Sequence, residues 1–170
     1  MGFKIGDKAV HPHHGVGEVT SIEPREIAGQ KKNFYILRIL DAGARKTAMG
    51  RPDVVMVPTD GADKLGLRPV ISKKDAKKVI DILKADEVAV NTQPWNRRFR
   101  EYNDMLNSGS PFEVAKVLRD LFRLKFDKDL SFGERKLVDR ARTLLVTELA
   151  LARRCKESRV DEEITVILTA

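Results

Sequence analysis

The chain has 170 residues, with 32 Lys and Arg against 25 Asp and Glu for a formal net charge of +7; 42% of its residues are hydrophobic and 34% charged. That balance supplies apolar mass for a core under a charged shell, which excludes a disordered polymer, and the length excludes a large multidomain machine. The positive surplus favours polyanionic partners such as nucleic acid, while a lone cysteine and the lack of any apolar run near the roughly 18 residues that span a bilayer predict a soluble, cytoplasmic chain with no membrane partner. Lys4, Asp7 and Lys8 interrupt the start where a secretory signal would run, and Gly2 lacks the downstream Ser or Thr of a myristoylation site, so no anchor is expected.

From Lys8 to Pro69 short β-branched runs are broken by Gly and Pro: Ala9-Val10, Val16 to Ile22, Phe34 to Leu40 and Val54 to Val57. Each reads as a strand. Turn signals part them at His11-Pro12 with Gly15, at Ala28-Gly29, and across Asp41 to Asp53, which holds Gly43, Gly50 and Pro52. Such short strands predict a small twisted barrel or strongly curved sheet of the SH3 or Tudor type.

From Ser72 the hydrophobic period becomes helical, which sets a boundary near residues 67–71. Ala76, Val79, Ile80 and Leu83 follow a Ser72 cap, with Lys73, Lys74, Lys77 and Lys78 crowding the other side. Ser110-Pro111-Phe112-Glu113 is a second start signal, leading to a stripe of Val114, Val117, Leu118, Leu121 and Phe122. Ser131 and Glu134 form a third, ahead of a long helix to about Arg154 with Leu137, Val138, Ala141, Leu144, Leu145 and Ala152 near its inner face. A last short helix carries Ile164, Ile167 and Leu168. The expected fold is α+β: a small all-β, Tudor-like (SH3-like) domain over residues 1–68, then an all-α helical bundle over 69–170.

Between the first two of these helical signals lies Pro94-Trp95-Asn96-Arg97-Arg98-Phe99-Arg100. Pro94 suits a helix start, and at about 100° per residue Trp95, Phe99, Tyr102 and Leu106 share about 60° of arc, which makes Trp95 a core residue. Alternatively, its place in the first turn after the loop Asp86 to Gln93 lets the ring project beyond the bundle. Arg97, Arg98 and Arg100 supply local charge to grip phosphates, and an adjacent aromatic can stack on, or wedge beside, a base.

Catalytic signals are weak. His11, His13 and His14 invite a metal reading, but no companion Cys/His motif or zinc-binding helix accompanies them, and beside Pro12 and Gly15 they read as a surface turn. Phosphate-loop, nucleophile-elbow and dinucleotide motifs are missing, and no histidine follows Cys155 to act as its base. No enzyme activity, cofactor or metal is expected.

The opening Phe3-Lys4-Ile5-Gly6-Asp7-Lys8-Ala9-Val10-His11-Pro12-His13-His14-Gly15-Val16-Gly17, followed by Val19, Ile22 and Glu23, resembles the CarD/CdnL family of bacterial transcription regulators. Pro94 to Phe99, Val117-Leu118-Arg119-Asp120-Leu121 and Leu144 to Ala152 are similar to that family's helical domain, so the resemblance spans nearly the whole chain. The N-terminal part alone is also similar to a module of the transcription-repair coupling factor, but helicase motors are missing here. The resemblance implies a Tudor-like domain that binds the RNA polymerase β subunit, partly by strand addition at an exposed sheet edge. Position by position, it assigns polymerase contacts to Arg25, Met56, Val57 and Pro58; Met56 stands where some members have a basic residue. For the helical domain it implies that Trp95 wedges into promoter DNA at the upstream edge of the bubble, with Arg97, Arg98 and Arg100 near phosphates, so that the open complex lives longer.

The function expected is a monomeric regulator acting on polymerase and promoter DNA. Two rivals are a polymerase-independent architectural DNA-binding protein and a metal-dependent nuclease using the histidine turn. Copurification with polymerase tests the first, and loss of DNA turnover in chelator the second.

Overall fold

The computed structural model describes residues 2–40, 54–85, 94–127 and 129–169. Within them, β1 (Lys8–His11), β2 (Gly15–Ile27), β3 (Gln30–Ile39), β4 (Val54–Pro58) and β5 (Arg68–Pro69) precede α1 (Lys73–Lys84), α2 (Trp95–Asn107), α3 (Pro111–Asp127), α4 (Phe132–Arg153) and α5 (Glu157–Thr169). The class is α+β, and the chain divides into two compact units, Met1–Val70 and Ile71–Ala170.

The first unit is a five-stranded antiparallel sheet in the order β4-β3-β2-β1-β5. Its spine is the β2–β3 hairpin, which turns on Ala28 and Gly29, both left-handed at φ 53° and 79°. Two such residues in succession match the twist of the flanking strands; glycine adopts this region freely, whereas alanine is strained there. Strands expected to end at Ile22 and begin at Phe34 instead run on to Ile27 and back to Gln30. Residues 24–33 are all exposed, so no apolar alternation marks them, and the tight turn pairs them regardless. The two-residue β5 pairs with β1, Val10 opposite Arg68, inside the expected boundary segment. The long turn expected over Asp41 to Asp53 lies outside the described residues.

One sheet face buries Ala9, Val19, Tyr35, Leu37 and Val57, with Ala62 and Leu67 from the chain after β4. Phe3 packs edge-on to Tyr35 at 5.7 Å, and its N–H donates to the tyrosine hydroxyl at 3.1 Å. A Cβ on Gly17 would stand 3.2 Å from that of Leu37, tighter than ordinary carbon contact, so glycine suits the close β2–β3 approach there. Elsewhere an ion row crosses three strands: Glu18 meets Lys8 at 3.0 Å and Arg38 at 2.8 Å. The hydrogen bond and charge of Lys8, then those of Arg38, hold the Glu18 carboxyl below its ordinary range.

In the helical unit all three expected caps form. The hydroxyls of Ser72, Ser110 and Ser131 accept from the N–H groups of Asp75, Glu113 and Glu134 at 3.1, 3.4 and 3.2 Å, and the Glu134 carboxylate accepts from Ser131 N–H at 3.0 Å. These bonds satisfy donors that a helix start leaves unpaired. The apolar stripes of α1 and α3 are buried as their periods require. On α4, Leu137, Ala141 and Leu145 are buried, whereas Val138, Leu144 and Ala152 are only partly so. Helix α5 buries Val160, Ile164 and Leu168 and leaves Ile167 partly covered.

Polar ties fix the packing. Arg119 donates to the Ile82 carbonyl at 3.2 Å and Arg123 to that of Ala85, so α3 satisfies the end of α1. Buried Glu148 of α4 accepts from Ile71 N–H at 3.0 Å. Arg142 pairs with Asp161 at 2.5 Å and Arg153 with Glu163 at 2.6 Å, joining α4 to α5.

Candidate functional site

Helix α2 begins at Trp95, with Pro94 at the capping position (φ −55°, ψ 149°) and no side-chain cap. The Pro94 carbonyl accepts from the N–H groups of Arg97 and Arg98 at 3.0 and 3.1 Å. Along the stripe, Leu106 and Tyr102 are buried, Phe99 is 40% exposed, and Trp95 is partly buried against the helical core. Sharing an arc therefore does not give equal burial: the bundle covers the far end of α2 and leaves the near end partly open. Trp95 is thus neither fully buried in the core nor free of the bundle. The loop Asp86 to Gln93 lies outside the described residues.

The ring sits in a defined seat. Its centre is 5.5 Å from that of Phe99, and a Cβ on Gly133, in the first turn of α4, would stand 3.3 Å from Trp95 Cζ2. Missing one side chain, α4 lets the indole lie against its backbone. The Arg98 guanidinium is 5.7 Å from the Trp95 ring centre and 5.9 Å from that of Tyr102. Its Nε is buried without a hydrogen-bond partner among the described residues. Arg98 is thus placed to brace the ring by cation–π contact, whereas Arg97 and Arg100 are exposed. The first turn of α2 contains no acidic residue, and its dipole adds to their positive field.

The first turn of α4 brings residues that the sequence did not single out. Phe132 is 73% exposed, and the Lys136 ammonium lies 4.6 Å from its ring centre. The capping box was legible, and it makes Phe132 the first helical residue, but local sequence says nothing of what covers that position.

In the β unit, β4 pairs with β3 and, among the described residues, has no strand on its other side. The register sets Met56 opposite Ile36 and Arg25 opposite Lys32, so both project from one sheet face. Met56 is 43% exposed, Pro58 partly so, and Val57 is turned into the core. Arg25 is exposed and paired with Glu23 at 2.7 Å.

The histidine turn is a cluster of rings: His11 lies 5.9 Å from His13 and 4.8 Å from His14. Burial first, then the neighbouring charges of His14 and His13, lowers the His11 pKa to about 4. Its Nδ1 accepts from His13 N–H at 3.1 Å, which suits the neutral ring. Among the described residues no His, Cys, Asp and Glu cluster is arranged to hold a metal, and no helix is long and apolar enough to cross a membrane.

Both units match family models: residues 3–71 match the CarD-like/TRCF RID domain, and residues 78–165 match the CarD C-terminal domain. The chain is 30% identical over 158 residues to a Bacillus subtilis (strain 168) protein named "Putative transcription factor YdeB", across 93% of this chain and 97% of that one.

Proposed function

We propose a mechanism from the premise that this chain belongs to the CarD family and is a transcription regulator. The first unit docks on the β subunit of RNA polymerase, and the second holds the upstream edge of a melted promoter. The observation that carries the DNA half is the seat of Trp95: a ring at the start of a helix, partly exposed, with Arg97 and Arg100 in solvent beside it. Separating base pairs costs stacking energy, and an aromatic lodged at the junction opposes reannealing. Exposed arginines hold the register through phosphates; Arg98 contributes by fixing the ring.

The docking half rests on β4. Thr59 N–H donates to the Asn33 carbonyl at 2.9 Å, so by ladder alternation Val57 and Val55 bond toward β3 while Met56 and Val54 direct their backbone groups outward. A polymerase strand added here gains two donors and several acceptors; Pro58 contributes only a carbonyl. Val57 acts through its place in the strand, since its side chain belongs to the core. Arg25, on the Met56 face, supplies the charged contact.

The test is open-complex lifetime on a bacterial promoter with purified polymerase, measured by competitor challenge. The intact chain is expected to lengthen it, Trp95→Ala to lose most of that gain while still copurifying with polymerase, and Trp95→Phe to keep part. A folded Trp95→Ala protein with the full effect refutes the wedge. Retention of the chain on the isolated β subunit separates this mechanism from polymerase-free DNA binding.

A further inference from the structure

We propose that Phe132 is a second DNA-contacting ring, which with Lys136 extends the surface begun by Trp95 across to the first turn of α4. The inference rests on the DNA reading of α2 above. Phe132 is the most exposed large hydrophobic side chain among the described residues, so the fold gains little from its ring. It is not loosely held: the reciprocal Ser131–Glu134 bonds fix the turn that carries it. The next residue, Gly133, abuts the indole of Trp95, so the two helix starts adjoin.

The chemistry fits one occupant, the sugar-phosphate flank of the same DNA. An apolar ring can pack on a deoxyribose or an unstacked base, and a cation above it can swing to the neighbouring phosphate. Lys136 occupies that position, 4.6 Å from the ring centre, and Arg97 and Arg100 supply like charge on α2. The adjoining surface pairs aromatic rings, Trp95 and Phe99, with the cations Lys136, Arg97 and Arg100, a combination that suits bases and phosphates better than a purely apolar protein partner.

The full chain is titrated against a fluorescein-labelled fork-junction duplex by anisotropy over a series of salt concentrations. Phe132→Ser is expected to leave the melting temperature unchanged and weaken binding about fivefold or more, with an unaltered salt slope, while Phe132→Tyr stays near the parent. Lys136→Gln should reduce the salt slope by about one. Parent-like binding by Phe132→Ser, while Trp95→Ala binds weakly, overturns the proposal and leaves the α2 reading standing. Parent-like binding by Trp95→Ala and Arg97→Glu as well removes the α2 reading and this proposal with it. Equal loss in folded Phe132→Ser and Phe132→Tyr also overturns it, since the ring is then not what DNA reads.

Discussion

Gly133→Ala sets two effects against each other at one atom. Replacing a helical glycine by alanine contributes up to about 1 kcal/mol in a helix interior, and less in a first turn. The new Cβ, however, would stand 3.3 Å from Trp95 Cζ2 and 3.9 Å from Phe99 Cε2. The first distance is inside the roughly 3.5–4.0 Å optimum for carbon pairs, so the indole must retreat by a few tenths of an ångström, outward where it is less covered. Folding stability is expected to change by less than about 1 kcal/mol, the propensity gain offsetting the crowding. The ring itself should report the movement. Trp95 is the only tryptophan in the chain, so intrinsic emission reads this one site. Emission should move to longer wavelength, collisional quenching should rise, and open-complex lifetime should fall several-fold. Trp95→Phe removes the crowded atom, so in that background Gly133→Ala should recover its full stabilisation, a coupling that a double-mutant cycle measures. Unchanged emission and quenching, with a melting temperature raised by the full propensity gain, would refute the close approach on which the seat depends.

Other consequences can be checked separately. Trp95→Ala should itself cost about 2 kcal/mol, less than the ~3–5 of a fully buried aromatic, because only part of the ring is packed; thermal melts against Phe132→Ser measure the difference. Arg25→Glu or Met56→Asp should weaken retention on the polymerase β subunit without lowering thermal stability by more than about 0.5 kcal/mol, and unchanged retention by both removes the docking face. The folded-state pKa of His11 lies near 4, below its ordinary 6.5, so its contribution is complete above pH 6.5 and is lost as pH falls toward 4. Denaturant melts should show a steeper loss over that window for the parent than for His11→Gln. Ala28→Gly should raise stability by about 0.5–1 kcal/mol by relieving the left-handed alanine, and a fall would show that the turn is not strained. A piece covering residues 69–170 should keep its helical far-UV spectrum, because its caps and core lie within it and Glu148 retains the Ile71 N–H.

Local features were legible in the sequence and long-range ones were not. Ser72, Ser110 and Ser131 announce their helices because each capping hydroxyl and the N–H that donates to it lie three residues apart. The α+β division follows from the change of hydrophobic period near Ser72. The length of the β2–β3 arm did not show, since its residues alternate in nothing; only Ala28-Gly29 marked it. Strand β5 is two residues whose pairing with β1 lies some 60 positions back, beyond any local pattern. At the candidate site, Trp95 and its arginines stood out by composition, but the division of labour among them depends on which guanidinium meets the ring. Phe132 and Gly133 gave no signal, because one is defined by what fails to cover it and the other by a neighbour on another helix.

The two-residue turn at Ala28-Gly29 also bears on the order in which the sheet is assembled. Pairing Ile27 with Gln30 closes almost no loop, and each further rung back to Gly17 and Ile39 closes only slightly more. Joining Val10 to Arg68 requires a loop of more than fifty residues to close first. Local pairings form in microseconds, and distant ones wait for the entropy of closure to be offset. The hairpin should therefore be formed in the folding transition state, stabilised once β4 and β1 flank it, with β5 added late. On that ordering, relieving Ala28 accelerates folding and barely slows unfolding, whereas weakening the β1–β5 pair leaves the folding rate alone and hastens unfolding.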